Sequence, residues 1–142
     1  MKINKKRFFV EMFNYWCGRL GIPYIPSRED NRQTCHACIV ENGKEMLYTK
    51  DLNKWSNAIL IGSVFHEINH IQNKLPYDTK EEQIICEYIA ENYAIVMLKL
   101  YYPKLLKIYC SHYKKRLKTE WWCEKYPLHK IAFEKIKEFK SK

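Results

Sequence analysis

Glycine and proline are scarce in this chain, at four and five of 142 residues, and no stretch is of low complexity or internally repeated. That excludes a linker-rich, collagen-like or solenoid protein. Acidic residues are also few, 16 against 25 Lys and Arg. Hydrophobic residues make up 46% of the chain, which excludes a disordered segment and supplies one real core. The length suits a single domain over residues 1–142 and is short for two. No apolar run reaches the roughly 20 residues a membrane helix needs, so no membrane association is expected. The N-terminus, Lys2 to Arg7 followed by Phe8-Phe9-Val10, has the outline of an export signal. Glu11, Asn14 and Arg19 interrupt it, and no small-residue cleavage site follows. The expected location is cytoplasmic and reducing, with the six cysteines as thiols.

The charge that is present is uneven. Between Lys104 and Lys142 twelve Lys or Arg stand against four Glu, or +8 of the net +9. A basic helical extension of this kind is either a solvated surface or a grip for an acidic protein or nucleic acid. No helix-turn-helix or zinc-finger spacing accompanies it.

Along the chain, Phe9, Met12, Phe13, Trp16 and Leu20 recur at helical spacing over residues 4–20, a helix ended by Gly21. Residues 21–26 read as an extended connector and 27–33 as a polar loop. Runs 34–41 and 44–50 are strand-like and flank Asn42-Gly43, a two-residue hairpin turn that would place Ile39 opposite Met46 and Ala37 opposite Tyr48. A helix is expected at 57–73, capped by Ser56 or Asn57, with Ile61, Val64, Phe65, Ile68 and Ile71 as its buried stripe. Thr79 and Glu82 form a capping-box signature for a second helix over 80–101, stopped near Pro103. Two further helical pieces are expected within 104–142, with Trp121-Trp122 between them.

The helix over 57–73 carries His66-Glu67-Ile68-Asn69-His70, an H-E-x-x-H. Residues four apart share a helix face, so His66 and His70 can offer two imidazoles to one metal ion. Glu67 lies about 60° round the axis from His70, beside such an ion and placed to act as base toward a metal-activated water. Catalytic zinc usually takes a third protein ligand and keeps one open position. On the next helix Glu87 shares a face with Ala90, Glu91 and Ala94, small residues that permit close approach. Glu87 is the expected third ligand, with Glu91 in reserve. Cys35-His36-Ala37-Cys38 lacks a second ligand pair and falls in a strand, so ordinary reduced cysteines are expected there.

His66 to His70, followed by Glu87-Tyr88-Ile89-Ala90-Glu91-Asn92-Tyr93-Ala94, resembles the ImmA/IrrE-type zinc metallopeptidases, compact gluzincin-like proteins of phages and mobile elements. The likeness spans residues 5–103 and departs from the family pattern at Asn69 and at Met97 to Leu100. It implies an α+β, mainly helical, zincin-like domain. A small antiparallel sheet, built on one hairpin, would pack beside the active-site helix. Zn2+ would be held by His66, His70 and Glu87, with Glu67 as the catalytic base in peptide-bond hydrolysis. The substrate would be a protein, such as a regulator or repressor, lying extended along strand 34–41 or 44–50. Tyr48, Tyr77, His112 and His129 are open candidates for a second oxyanion donor. The competing reading is a catalytically silent module of the same fold that binds through its basic C-terminal region.

Overall fold

The computed structural model describes residues 4–30, 37–40 and 44–119, with backbone alone at 37–40, 80, 81, 84 and 113–119. It is mainly helical, with one small sheet, and forms two compact units, residues 1–74 and 75–142.

The first unit begins with α1, Lys5–Arg19. Asn4 caps it by accepting from the Arg7 amide. At the other end Gly21 takes φ 71°. The Ile22 amide reaches back to the Cys17 carbonyl at 2.8 Å and the Gly21 amide to Gly18 at 3.3 Å. This paired closure satisfies carbonyls that the helix end would otherwise leave open, and glycine adopts the required φ without strain. Phe9, Phe13, Trp16 and Cys17 are buried, whereas Met12 and Leu20 are only partly so.

Three strands follow: β1 Ser27–Glu29, β2 Ala37–Val40 and β3 Glu45–Tyr48. β2 and β3 are antiparallel, with Ala37 opposite Tyr48 and Ile39 opposite Met46. The Asn42-Gly43 turn lies outside the described residues. The expected wholly antiparallel sheet is corrected by β1, which pairs parallel with β3 and gives a mixed sheet of order β1-β3-β2. The expected polar loop over 27–33 is therefore a strand at its start. The Met46 amide donates to the Pro26 carbonyl at 2.9 Å, and the Asp30 amide to Tyr48 at 3.0 Å. Arg28 pairs with Glu45 and Lys6 with Glu29, so polar side chains tie β1 to its neighbours. Met46 and Leu47 are buried in succession, so both faces of β3 are covered.

A short 3-10 turn, Leu52–Lys54, with Leu52 fully buried, leads into α2, Asn57–Gln72. The Ser56 hydroxyl accepts from the Ile59 amide at 3.4 Å and so caps α2. Rather than a single stripe, α2 is buried round its circumference from Ala58 to Asn69, while Ile71 is only partly covered. The near-continuous apolar run before His66 accounts for this. α1 packs on α2, and the Trp16 and Phe65 rings meet edge to face at 4.9 Å. β2 also lies against α2.

The second unit contains α3, Lys80–Tyr101, and α4, Pro103–Thr119, packed on each other. Thr79 and Glu82 form the expected capping box. Pro103 ends α3 but also opens α4, where its missing amide costs no helix bond. Ala90, Ala94, Ile95, Leu98 and Tyr109 have no exposed surface. Among the described residues no helix is long and apolar enough to cross a membrane. The second expected helical piece of the tail and Trp121-Trp122 lie outside the described residues.

Candidate metal centre

The cap at Ser56 starts α2 so that His66 and His70 fall in its last two turns. Their Nε2 atoms lie 3.0 Å apart, with ring centroids at 4.7 Å and planes at 72°. Two imidazole nitrogens bound tetrahedrally at the usual zinc distance sit roughly 3.3 Å apart. The pair thus already holds a spacing close to that of two ligands on one ion. The same distance suits an N–H···N hydrogen bond in which one ring is the donor, so proton and metal compete for these nitrogens. His66 is 9% exposed, and Glu67, beside it, 7%. The helix therefore carries a carboxylate into the interior next to two imidazoles. Asn69, in the middle of the motif, is buried as well.

In the second unit the capping box sets the register of α3. The Thr79 amide donates to Glu82 Oε1 at 2.9 Å, and the Glu82 amide to Thr79 Oγ1 at 3.1 Å. The Thr79 amide bond holds the Glu82 carboxyl below its ordinary pKa, assisted by the bond to the Thr79 side chain. Two turns further on, Glu87 is partly exposed and accepts from the Tyr77 hydroxyl at 2.8 Å. Glu91, one turn beyond, is 2% exposed and accepts from the buried Tyr109 hydroxyl at 2.8 Å. The Cys86 thiol donates to the Pro76 carbonyl at 3.4 Å. Burial, and then the charges of Glu87 and Glu82, push its pKa up, so Cys86 is held as a thiol rather than a thiolate. Cys17 is likewise pushed up to about 11 by burial.

Among the described residues, His66, His70 and Glu87 form a group that could hold a metal ion. The donor set, two imidazoles and a carboxylate, fits zinc as well as other first-row metals. Glu91 is not in that group. Of the oxyanion candidates, Tyr77 is engaged with Glu87, and Tyr48 packs its ring against Phe9 at 6.3 Å. His112 is partly buried, and His129 lies outside the described residues. Cys35 and His36, with the Cys38 side chain, also lie outside them. β3 has a neighbour on each side, so strand 44–50 offers no free edge, while β2 is an edge strand among the described residues. Tyr109 was legible only as an apolar helix position. Its role toward Glu91 joins residues 18 apart on different helices and has no local signal.

Compared with family models, curated proteins and solved structures, the chain finds no match.

Proposed function

We propose that the protein is a zinc-dependent peptidase of the ImmA/IrrE type. His66, His70 and Glu87 would hold the ion. The observation that carries this reading is the 3.0 Å spacing of the two Nε2 atoms on a buried helix that also buries Glu67. A purely structural metal site needs no carboxylate of that kind next to its ligands, whereas hydrolysis needs a base.

When bound, zinc would supply Lewis-acid polarisation of a water and of the scissile carbonyl. Glu67 takes the proton as the water attacks and returns it to the departing amine, one group serving as base and then acid. Burial of Glu67 keeps bulk water away from that transfer. The protein substrate would lie extended along β2, an edge strand that packs against α2. An extended substrate can add to a sheet as a further strand at such an edge.

Metal analysis of purified wild type, Glu67→Gln and His66→Ala tests the proposal, together with cleavage of a mixed peptide library followed by mass spectrometry. Glu67→Gln is expected to keep its zinc and lose about 10²- to 10⁴-fold in cleavage rate. His66→Ala is expected to lose both. Wild type that binds no zinc, or Glu67→Gln that cleaves as well as wild type, would overturn it. Intact binding of an acidic protein or nucleic acid without cleavage would favour the silent module.

A further inference from the structure

The second unit ties two phenols to two carboxylates on one helix face. Glu87 and Glu91 are four residues apart on α3, a spacing at which like charges repel. Each accepts a 2.8 Å hydrogen bond from a tyrosine hydroxyl, Tyr77 to Glu87 and Tyr109 to Glu91. The two pairs differ in setting. Tyr109 and Glu91 are buried, whereas Tyr77 is 48% exposed and Glu87 partly so. One pair is a closed structural contact; the other is open to an incoming ligand.

Tyr77 is not left to find Glu87 by chance. Its carbonyl accepts from the Gln83 side-chain amide at 3.2 Å, and the preceding Pro76 carbonyl accepts from the Cys86 thiol at 3.4 Å. Two residues of α3 thus strap the backbone of the loop to the helix on either side of the Tyr77 nitrogen. The phenol then reaches Glu87, one residue beyond Cys86. Gln83, Cys86 and Glu87 lie at helical spacings of three and four, so one strip of α3 holds the whole loop.

We propose that Tyr77 is the positioning residue for Glu87 as a metal ligand. Its O–H donates to Oε1 and so sets the rotation of the carboxylate that would meet the ion. Glu87 then binds through one oxygen and keeps its negative charge, and less side-chain freedom is lost when the ion arrives. The inference rests on the metal-site reading above. It adds the residue that makes Glu87, rather than Glu91, competent as the ligand, because Tyr109 holds Glu91 inside the helix pair.

Zinc affinity measured by competition with a chromophoric chelator tests it. The set is wild type, His66→Ala, Tyr77→Phe, Glu87→Gln and the Tyr77→Phe/Glu87→Gln double variant. Tyr77→Phe is expected to bind zinc about 10- to 100-fold more weakly, the usual effect of losing an outer-shell partner. Once Glu87 is Gln, the same change is expected to have little further effect. The metal-free Tyr77→Phe variant should melt at the wild-type temperature, which separates ligand positioning from folding. Wild-type affinity in Tyr77→Phe overturns the proposal while leaving the metal site intact, as does an equal loss in the Glu87→Gln background. Failure of wild type itself to bind zinc overturns the metal reading and this inference together.

Discussion

Tyr109 occupies no exposed surface and donates to a carboxylate that is 2% exposed. A buried hydrogen bond to a charged group contributes about 1.5–3 kcal/mol. Tyr109→Phe is therefore expected to destabilise the fold by about 2 kcal/mol in urea denaturation. Glu91→Gln keeps an acceptor for the phenol and should cost less. The opposite ranking would show that the Glu91 charge, rather than the phenol contact, is the stabilising element. The contrast with Glu87 shows what single residues reveal in sequence. Both glutamates sit on the alanine-bearing face of α3, and sequence spacing alone ranks Glu87 first with Glu91 close behind. What separates them is the tyrosine each one meets, one from a loop ten residues upstream and one from α4. Those partners come from tertiary packing, so no pattern within α3 could distinguish the two carboxylates.

At the scale of elements, caps and turns were the most readable features because their chemistry is local. Ser56, the Thr79/Glu82 box and Gly21 lie where the sequence places them, and the β2–β3 register is the one expected from the sequence. Ser27-Arg28-Glu29 was not readable as a strand. It is polar, shows no alternation of apolar residues, and gains its place by pairing with β3. The stripe assigned to α2 was too narrow for a similar reason: how many sides of a helix are covered depends on its neighbours. The α3 cap makes a direct prediction. Thr79→Ala should cost about 1 kcal/mol, measured by thermal or urea unfolding. The pH dependence has a definite sign. The folded-state pKa of Glu82 is lowered, so its contribution is present above the unfolded pKa and lost as pH falls through the folded value. The stability gap between wild type and Glu82→Gln should therefore be widest near neutral pH and close in acid. A gap that persists unchanged at low pH would mean that the Glu82 charge plays no part in the cap.

For the whole molecule, the proposed metal site makes a thermodynamic demand that no single helix meets alone. Its imidazoles come from residues 66 and 70 on α2 and its carboxylate from residue 87 on α3. An ion bound by all three would stabilise only the state in which both helices are folded. By mass action, free zinc at 100 times its dissociation constant adds about 2.7 kcal/mol, which for a chain of this size raises the melting temperature by roughly 8 °C. The midpoint should rise with free zinc, and a chelator should return it to the metal-free value. Glu67→Gln should show the full shift, since the base is not a ligand. His66→Ala should show none, and Glu87→Gln a much smaller one. The informative result is the Glu87→Gln curve. A shift as large as wild type would confine the ion to the histidine pair on α2. A shift that disappears would make the Glu87 carboxylate an indispensable third ligand.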